Sequence, residues 1–169
     1  RAAVSRNVAK TKRPLASLVR RAAAPERSAC SARTIRNSLS PEGASTSWSD
    51  DTFRGDEPFS EPEVQNIREL VSTRQVTNLI TNHTYSNLVL RPPGVSDFGF
   101  PLEEPVYRQL GASLAAHNGY SNDPGFGLYD TTGSTEDWSF WSTGGFAFTF
   151  EIGSDEFHPP FATGVEAEY

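Results

Sequence analysis

The sequence contains no methionine, not even at position 1, and only one cysteine, Cys30. A single cysteine excludes an internal disulfide framework and any zinc site built on clustered thiolates. The missing methionine leads to the expectation that the chain is processed or cut from a longer product. Lysine is absent after Lys12. No stretch approaches the roughly 18 apolar residues of a membrane helix, so no membrane span is expected. Hydrophobic residues amount to 36%, yet 11 Phe, 5 Tyr and 3 Trp are too many aromatics for an ordinary disordered chain. A length of 169 residues leaves room for one domain at most.

What is present divides by charge. Residues 1–40 hold ten of the 15 Lys and Arg and one acid, Glu26, whereas residues 41–169 hold five Arg against twenty acids. Such asymmetry points to two segments of different character, 1–42 and 43–169. The first is rich in Arg, Ala and Ser, with apolar residues too sparse for a helical or strand period. It reads as a solvated tail, a transit-type leader, a basic arm for nucleic acid or anionic lipid, or an out-of-frame translation. A basic run without interleaved aromatics is weak ground for nucleic-acid binding.

The second segment reads as α/β. Ser60-Glu61-Pro62-Glu63 predicts a helix start with a capping box from Ser60 to Glu63. Val64, Ile67 and Val71 follow on one helical face. Residues 76–81 predict a strand that delivers Asn82-His83-Thr84-Tyr85-Ser86 to its C-terminal end. Leu88-Val89-Leu90 is a short apolar run stopped by Pro92-Pro93-Gly94. Residues 105–117 predict a second helix with Val106, Leu110 and Leu114 on one face, and residues 118–133 a polar loop. Phe146-Ala147-Phe148-Thr149-Phe150-Glu151-Ile152 alternates large and small residues as a strand does. Alternating helices and strands predict a largely parallel sheet flanked by helices, with ligands outside the strands' carboxyl ends.

His83 and Glu151 both fall at such ends. A carboxylate closing an aromatic strand is costly to bury unless it is paired or functional; otherwise it is an edge residue facing water. His83 is a metal ligand or an ordinary hydrogen-bonded histidine. His117 fits a helix C-terminus, and His158 a loop. Asp137-Trp138, after Thr131-Thr132-Gly133-Ser134, fits a buried Trp anchored by a capped turn. Asn82-His83-Thr84 matches an N-glycosylation acceptor, a pattern easily met by chance. There is no HExxH or HxxE pair, phosphate-binding loop or nucleophile elbow.

Taken together, five blocks in order resemble the C-terminal half of a zinc metallocarboxypeptidase of the carboxypeptidase A type. They are Thr52-Phe53-Arg54-Gly55 with Pro58 to Glu63; Asn82 to Ser86 with Leu88-Val89-Leu90; Leu128-Tyr129 with Gly133 to Trp138; Phe148 to Ile152; and Phe157-His158-Pro159-Pro160. The resemblance covers about three quarters of the chain and less than half of a family catalytic domain. It implies a three-layer fold with a mixed, mainly parallel sheet, only part of which this chain supplies. It implies a zinc cofactor and peptide or protein C-termini as substrate. By position, His83 resembles the third zinc ligand and Glu151 the general base. Tyr129 resembles the loop tyrosine that closes over substrate, and Thr84 and Tyr85 resemble residues of neighbouring subsites. Glu136 falls where the family sets side-chain preference, and an acid there would favour a C-terminal Arg or Lys.

The departures are equally definite. The family's HxxE zinc-ligand pair and its carbonyl-polarising arginine have no counterpart. Arg36-Asn37 only faintly echoes the block that grips the substrate carboxylate. The expectation is therefore a zinc carboxypeptidase at family level, incomplete in this chain and inactive by itself. The alternatives are a non-enzymatic remnant that binds peptide C-termini and a binder acting through the basic arm. A secreted location follows from the resemblance alone, since no signal peptide is visible.

Overall fold

The computed structural model describes residues 45–50, 53–153 and 155–166. The basic segment 1–42, Cys30, Arg36-Asn37 and Thr52 lie outside the described residues. The elements run α1 (Pro62–Thr73), β1 (Asn78–His83), β2 (Leu88–Arg91), α2 (Glu104–Ala115), β3 (Ser121–Pro124), α3 (Thr135–Thr143) and β4 (Phe146–Glu151). The four strands form one mixed sheet in the order β1-β4-β2-β3. β1 pairs parallel with β4, β2 parallel with β3, and β2 antiparallel with β4. The expected mixed, mainly parallel sheet flanked by helices is what the chain forms.

β4 is the middle of this arrangement because its alternation gives each face a different task. Phe148 and Phe146 meet Tyr107 of α2 edge-on, with ring centroids 5.3 and 4.9 Å away. Tyr107 also meets Phe140 of α3, at 5.2 Å. Tyr107 is fully buried, and its hydroxyl accepts the Ala147 N–H at 3.2 Å. Burial lifts its phenol well above the ordinary tyrosine range, so it stays neutral. The opposite face of β4, carrying Thr149 and Glu151, is left for the site.

Several details depart from the sequence-based expectations. The capping box does not form. Pro62 takes the first helical position, so Glu61 is the N-cap and Ser60 lies one residue outside, its hydroxyl donating to Glu61 Oε1 at 2.7 Å. On α1 only Val71 is buried. Val64, Ile67 and Leu70 stay exposed, because no described element packs over that stripe. The first strand begins two residues later than predicted: its pairing with β4 opens at Asn78 opposite Phe146, where the Phe146 N–H donates to Thr77 O at 2.9 Å.

The inward face of α2 is one step round from the expected one. Glu104, Tyr107, Gly111 and Ala115 are buried; of the three expected residues, Leu114 packs partly buried against the core, while Val106 and Leu110 are exposed. The reason is close approach: a Cβ on Gly111 would run into the Asn122 side chain. The polar stretch 118–133 contains β3, whose pairing with β2 is made by backbone and needs no apolar side chain. The Ser134 turn opens a whole helix, α3, rather than only anchoring Trp138.

One buried charge cluster joins α2 to the sheet. Arg91 at the end of β2 donates to both Glu104 oxygens, at 2.9 and 3.3 Å, and to Asn122 O and Oδ1, at 2.8 and 3.1 Å. Arg108 adds a bond to Glu104 Oε1 at 2.8 Å. Burial pushes the Glu104 carboxyl up, but the two guanidinium groups outweigh it and hold the pKa below the ordinary range. Removing Arg91 would leave the Glu104 carboxylate with only the largely exposed Arg108 as its cation. Arg91→Leu should therefore cost about 3–5 kcal/mol, read as a fall in the urea midpoint at unchanged slope. A loss under about 1 kcal/mol would place this cluster with ordinary surface pairs.

Candidate functional site

Parallel register places the last residue of β1, His83, opposite the last residue of β4, Glu151. The pairing continues one step beyond, with Ile152 N–H donating to His83 O at 2.9 Å. His83 Nδ1 lies 3.5 Å from Glu151 Oε1; the imidazole is 61% exposed and the carboxylate only 7%. Burial raises the Glu151 pKa above the usual glutamate range. His83 pulls it down, and the nearby Glu136 charge pushes it further up.

Glu136 arrives from α3. Ser134 is the N-cap, its hydroxyl accepting the Asp137 N–H at 3.4 Å, so Glu136 and Asp137 lie in the first turn, where the helix dipole favours carboxylates. Glu136 is buried, and its Oε2 accepts from Thr149 Oγ1 at 2.9 Å. The Thr149 hydroxyl also lies 2.7 Å from Thr81 Oγ1. Since the Thr149 proton goes to Glu136, Thr81 is the donor of that second bond.

These groups line a cavity of about 280 Å³, with His83, Glu151, Thr149 and Leu90 on the sheet side, Glu136 on α3, and the loop from Leu128 to Thr135 around it. Tyr129 stands on that loop, 58% exposed. No lysine or arginine is among the cavity's described lining residues. Beneath it, Asp137 is fully buried, its Oδ2 accepting the Gly94 N–H at 2.8 Å while Oδ1 has no hydrogen-bond partner among the described residues. Desolvation, with the Glu136 charge added, pushes the Asp137 pKa up to about 7.

The structure thus brings His83, Tyr129, Glu136 and Glu151 around one cavity. It places Thr84 and Tyr85 just past β1 and outside the cavity wall, with the Tyr85 ring packed edge-on against Phe157 at 5.0 Å. Thr81, Thr149 and Asp137 were not singled out as site residues from sequence. Thr149 and Thr81 could have been found by phase, since each lies two residues before a candidate on its own strand and therefore on the same face. Among the described residues, no group of three His, Cys, Asp or Glu could hold a metal ion. His83 offers one imidazole, whereas a catalytic zinc takes about three protein ligands, so the described donor set by itself does not fit zinc. No helix among the described residues is long and apolar enough to cross a membrane.

Comparison with known proteins matches the family model described as zinc carboxypeptidase to residues 34–165. Mouse carboxypeptidase A1 is 30% identical over 117 residues, covering 65% of this chain and 28% of the relative. Human carboxypeptidase O is 30% identical over 118 residues, covering 65% and 32%. The chain therefore spans about three tenths of the length of these relatives. Among solved structures, thrombin activatable fibrinolysis inhibitor superposes with a TM-score of 0.60 at 25% identity, covering 69% of this chain and 31% of that one. Carboxypeptidase A from Helicoverpa armigera gives 0.59 at 22%, covering 64% and 29%.

The Asp137 environment has a measurable consequence. A carboxyl whose folded pKa exceeds its unfolded value binds more protons in the native state. Its contribution to stability is complete below pH ~4, the unfolded value, and fades as pH rises toward the folded value of about 7. The raised Glu151 acts in the same direction, and the lowered Glu104 in the opposite one. Asp137→Asn should flatten the decline in stability between pH 4 and 7, measured as urea midpoints across that range. An unchanged pH profile would mean that Asp137 is not a strained carboxylate.

Proposed function

Because this chain belongs to the zinc carboxypeptidase family, we propose that it forms part of a catalytic domain that removes C-terminal residues from peptides, preferring a basic one. The observation that carries the reading is the Glu136 carboxylate, buried and fixed by Thr149 in a cavity whose described wall contains no lysine or arginine. A guanidinium or ammonium entering there meets a preorganised acceptor, and a fixed carboxylate loses little freedom on binding it. Glu136 and Glu151 together make the cavity electronegative, which favours a basic side chain and disfavours an acidic one.

Glu151 is the general base of this reading. Its carboxylate faces the cavity beside His83, within hydrogen-bond reach of a water that enters the cavity next to both. Burial moves the Glu151 pKa above the ordinary glutamate range, the direction a carboxylate proton shuttle requires. Tyr129, exposed on a loop ending at Gly133, is placed to swing over a bound peptide. His83 serves as one zinc ligand, and because the family's HxxE pair has no counterpart in this sequence, the remaining ligands come from polypeptide beyond it. Thr84 and Tyr85, beside the cavity, contact the preceding substrate residues. The family resemblance supports an extracellular site of action.

The test is a titration of the 169-residue chain with peptides identical except for a C-terminal Arg, Leu or Glu. The Arg peptide should bind about tenfold or more tighter than the others, and Glu136→Gln should abolish that margin. Equal binding of all three would overturn the basic preference. Peptide shortening by an assembly that contains this chain should cease when a zinc chelator is added; shortening indifferent to chelator would overturn the hydrolytic part.

A further inference from the structure

The loop that carries Tyr129 is tied to the rest of the molecule at two places. Asp130 accepts from Ser96 N–H at 2.8 Å and Ser96 Oγ at 3.2 Å, and this tie is exposed. The second tie is internal. Thr131 N–H donates to Gly94 O at 2.8 Å, and Gly94 N–H donates to Asp137 Oδ2 at 2.8 Å. The Gly94 peptide units are therefore held from both sides, by the loop and by α3. The fit leaves no spare room: a Cβ at Gly94 would lie 2.8 Å from both Asp137 Oδ2 and Thr131 O, and one at Gly125 would lie 3.0 Å from Gly94 Cα.

We propose that Asp137 is a positioning residue, whose buried carboxylate clamps the Gly94 turn and through it fixes the loop carrying Tyr129 over the cavity. This rests on the reading of that cavity as a peptide site. The expense of the arrangement supports it. An apolar residue would fill the same volume without a buried carboxyl, whose pKa is raised first by desolvation and then by the neighbouring Glu136 charge. What the carboxylate adds is an acceptor for the Gly94 N–H, which an apolar residue cannot supply. Glu136 and Asp137 are adjacent, so one turn of α3 both lines the cavity and holds the position of its rim. Specificity and loop placement are thereby set by the same rigid element.

The experiment is amide hydrogen exchange by NMR on the full 169-residue chain, with an Arg-terminated peptide titrated in parallel. Asp137→Ala should speed exchange at Gly94 and Thr131 about tenfold or more, leaving Ala147, held by the Tyr107 hydroxyl, unchanged. Asp137→Asn retains an acceptor for Gly94 and should restore both the two amides and the peptide affinity that Asp137→Ala loses. Unchanged protection at Gly94 and Thr131 in Asp137→Ala would overturn the clamp. So would equal loss in the Asn and Ala variants with Ala147 intact. Should Asp137→Ala lose Ala147 protection as well, Gly94→Ala decides: faster exchange at Thr131 supports the clamp, and unchanged exchange overturns it. If the parent chain ignores the peptide, the peptide-site reading fails, while the amides still judge the clamp.

Discussion

The pairing of β1 with β4 decides what this molecule can do. Its register runs unbroken from Asn78 opposite Phe146 to His83 opposite Glu151. Because side chains alternate along a strand, a slip of one residue would turn Thr149 and Glu151 to the aromatic face and send the phenylalanines into the cavity. The aromatic face pins the register: Phe146 and Phe148 both pack on Tyr107, and the Tyr107 hydroxyl takes the Ala147 N–H. An imidazole and a carboxylate at the two strand ends are thus held side by side by packing on the far side of the sheet. Neither group needs a strong bond to the other, and at 3.5 Å they do not make one.

The second constraint is electrostatic. Glu136, Asp137 and Glu151 are all buried in the neighbourhood of one cavity, and two of them have raised pKa values. Arg91 and Arg108, which could have compensated them, are engaged with Glu104 on α2. Among the described residues, the buried cation, Arg91, therefore sits at the α2 joint, and the cavity is left acidic. The helix dipole of α3 and the Thr81–Thr149–Glu136 hydroxyl series offset part of that cost without neutralising the charge.

Much of the arrangement was legible in the sequence where side-chain pattern and backbone state coincide. The alternation from Phe146 to Glu151 marked β4, and Leu88-Val89-Leu90 marked β2, because both strands bury a continuous apolar face. His83 and Glu151 could be placed at strand ends for the same reason. β3 was illegible because Ser121 to Pro124 is polar and is made a strand only by its neighbour. The inward face of α2 was misread because a glycine, not a leucine, lets the helix approach Asn122. Asp137 looked like part of a turn; its tie to Gly94 spans residues far apart in sequence, which no local pattern records.

β1 is the outermost strand of the described sheet, with Ile80 on it 49% exposed, and α1 carries an exposed stripe of Val64, Ile67 and Leu70. A row of backbone donors and acceptors along such an edge is a template for another strand. His83 terminates this same strand, so any polypeptide that extends the sheet there comes to lie beside the imidazole. Growth of the sheet along that edge and a change in what surrounds His83 are then one thermodynamic event, so whatever stabilises the added strand also fixes the new neighbours of the imidazole.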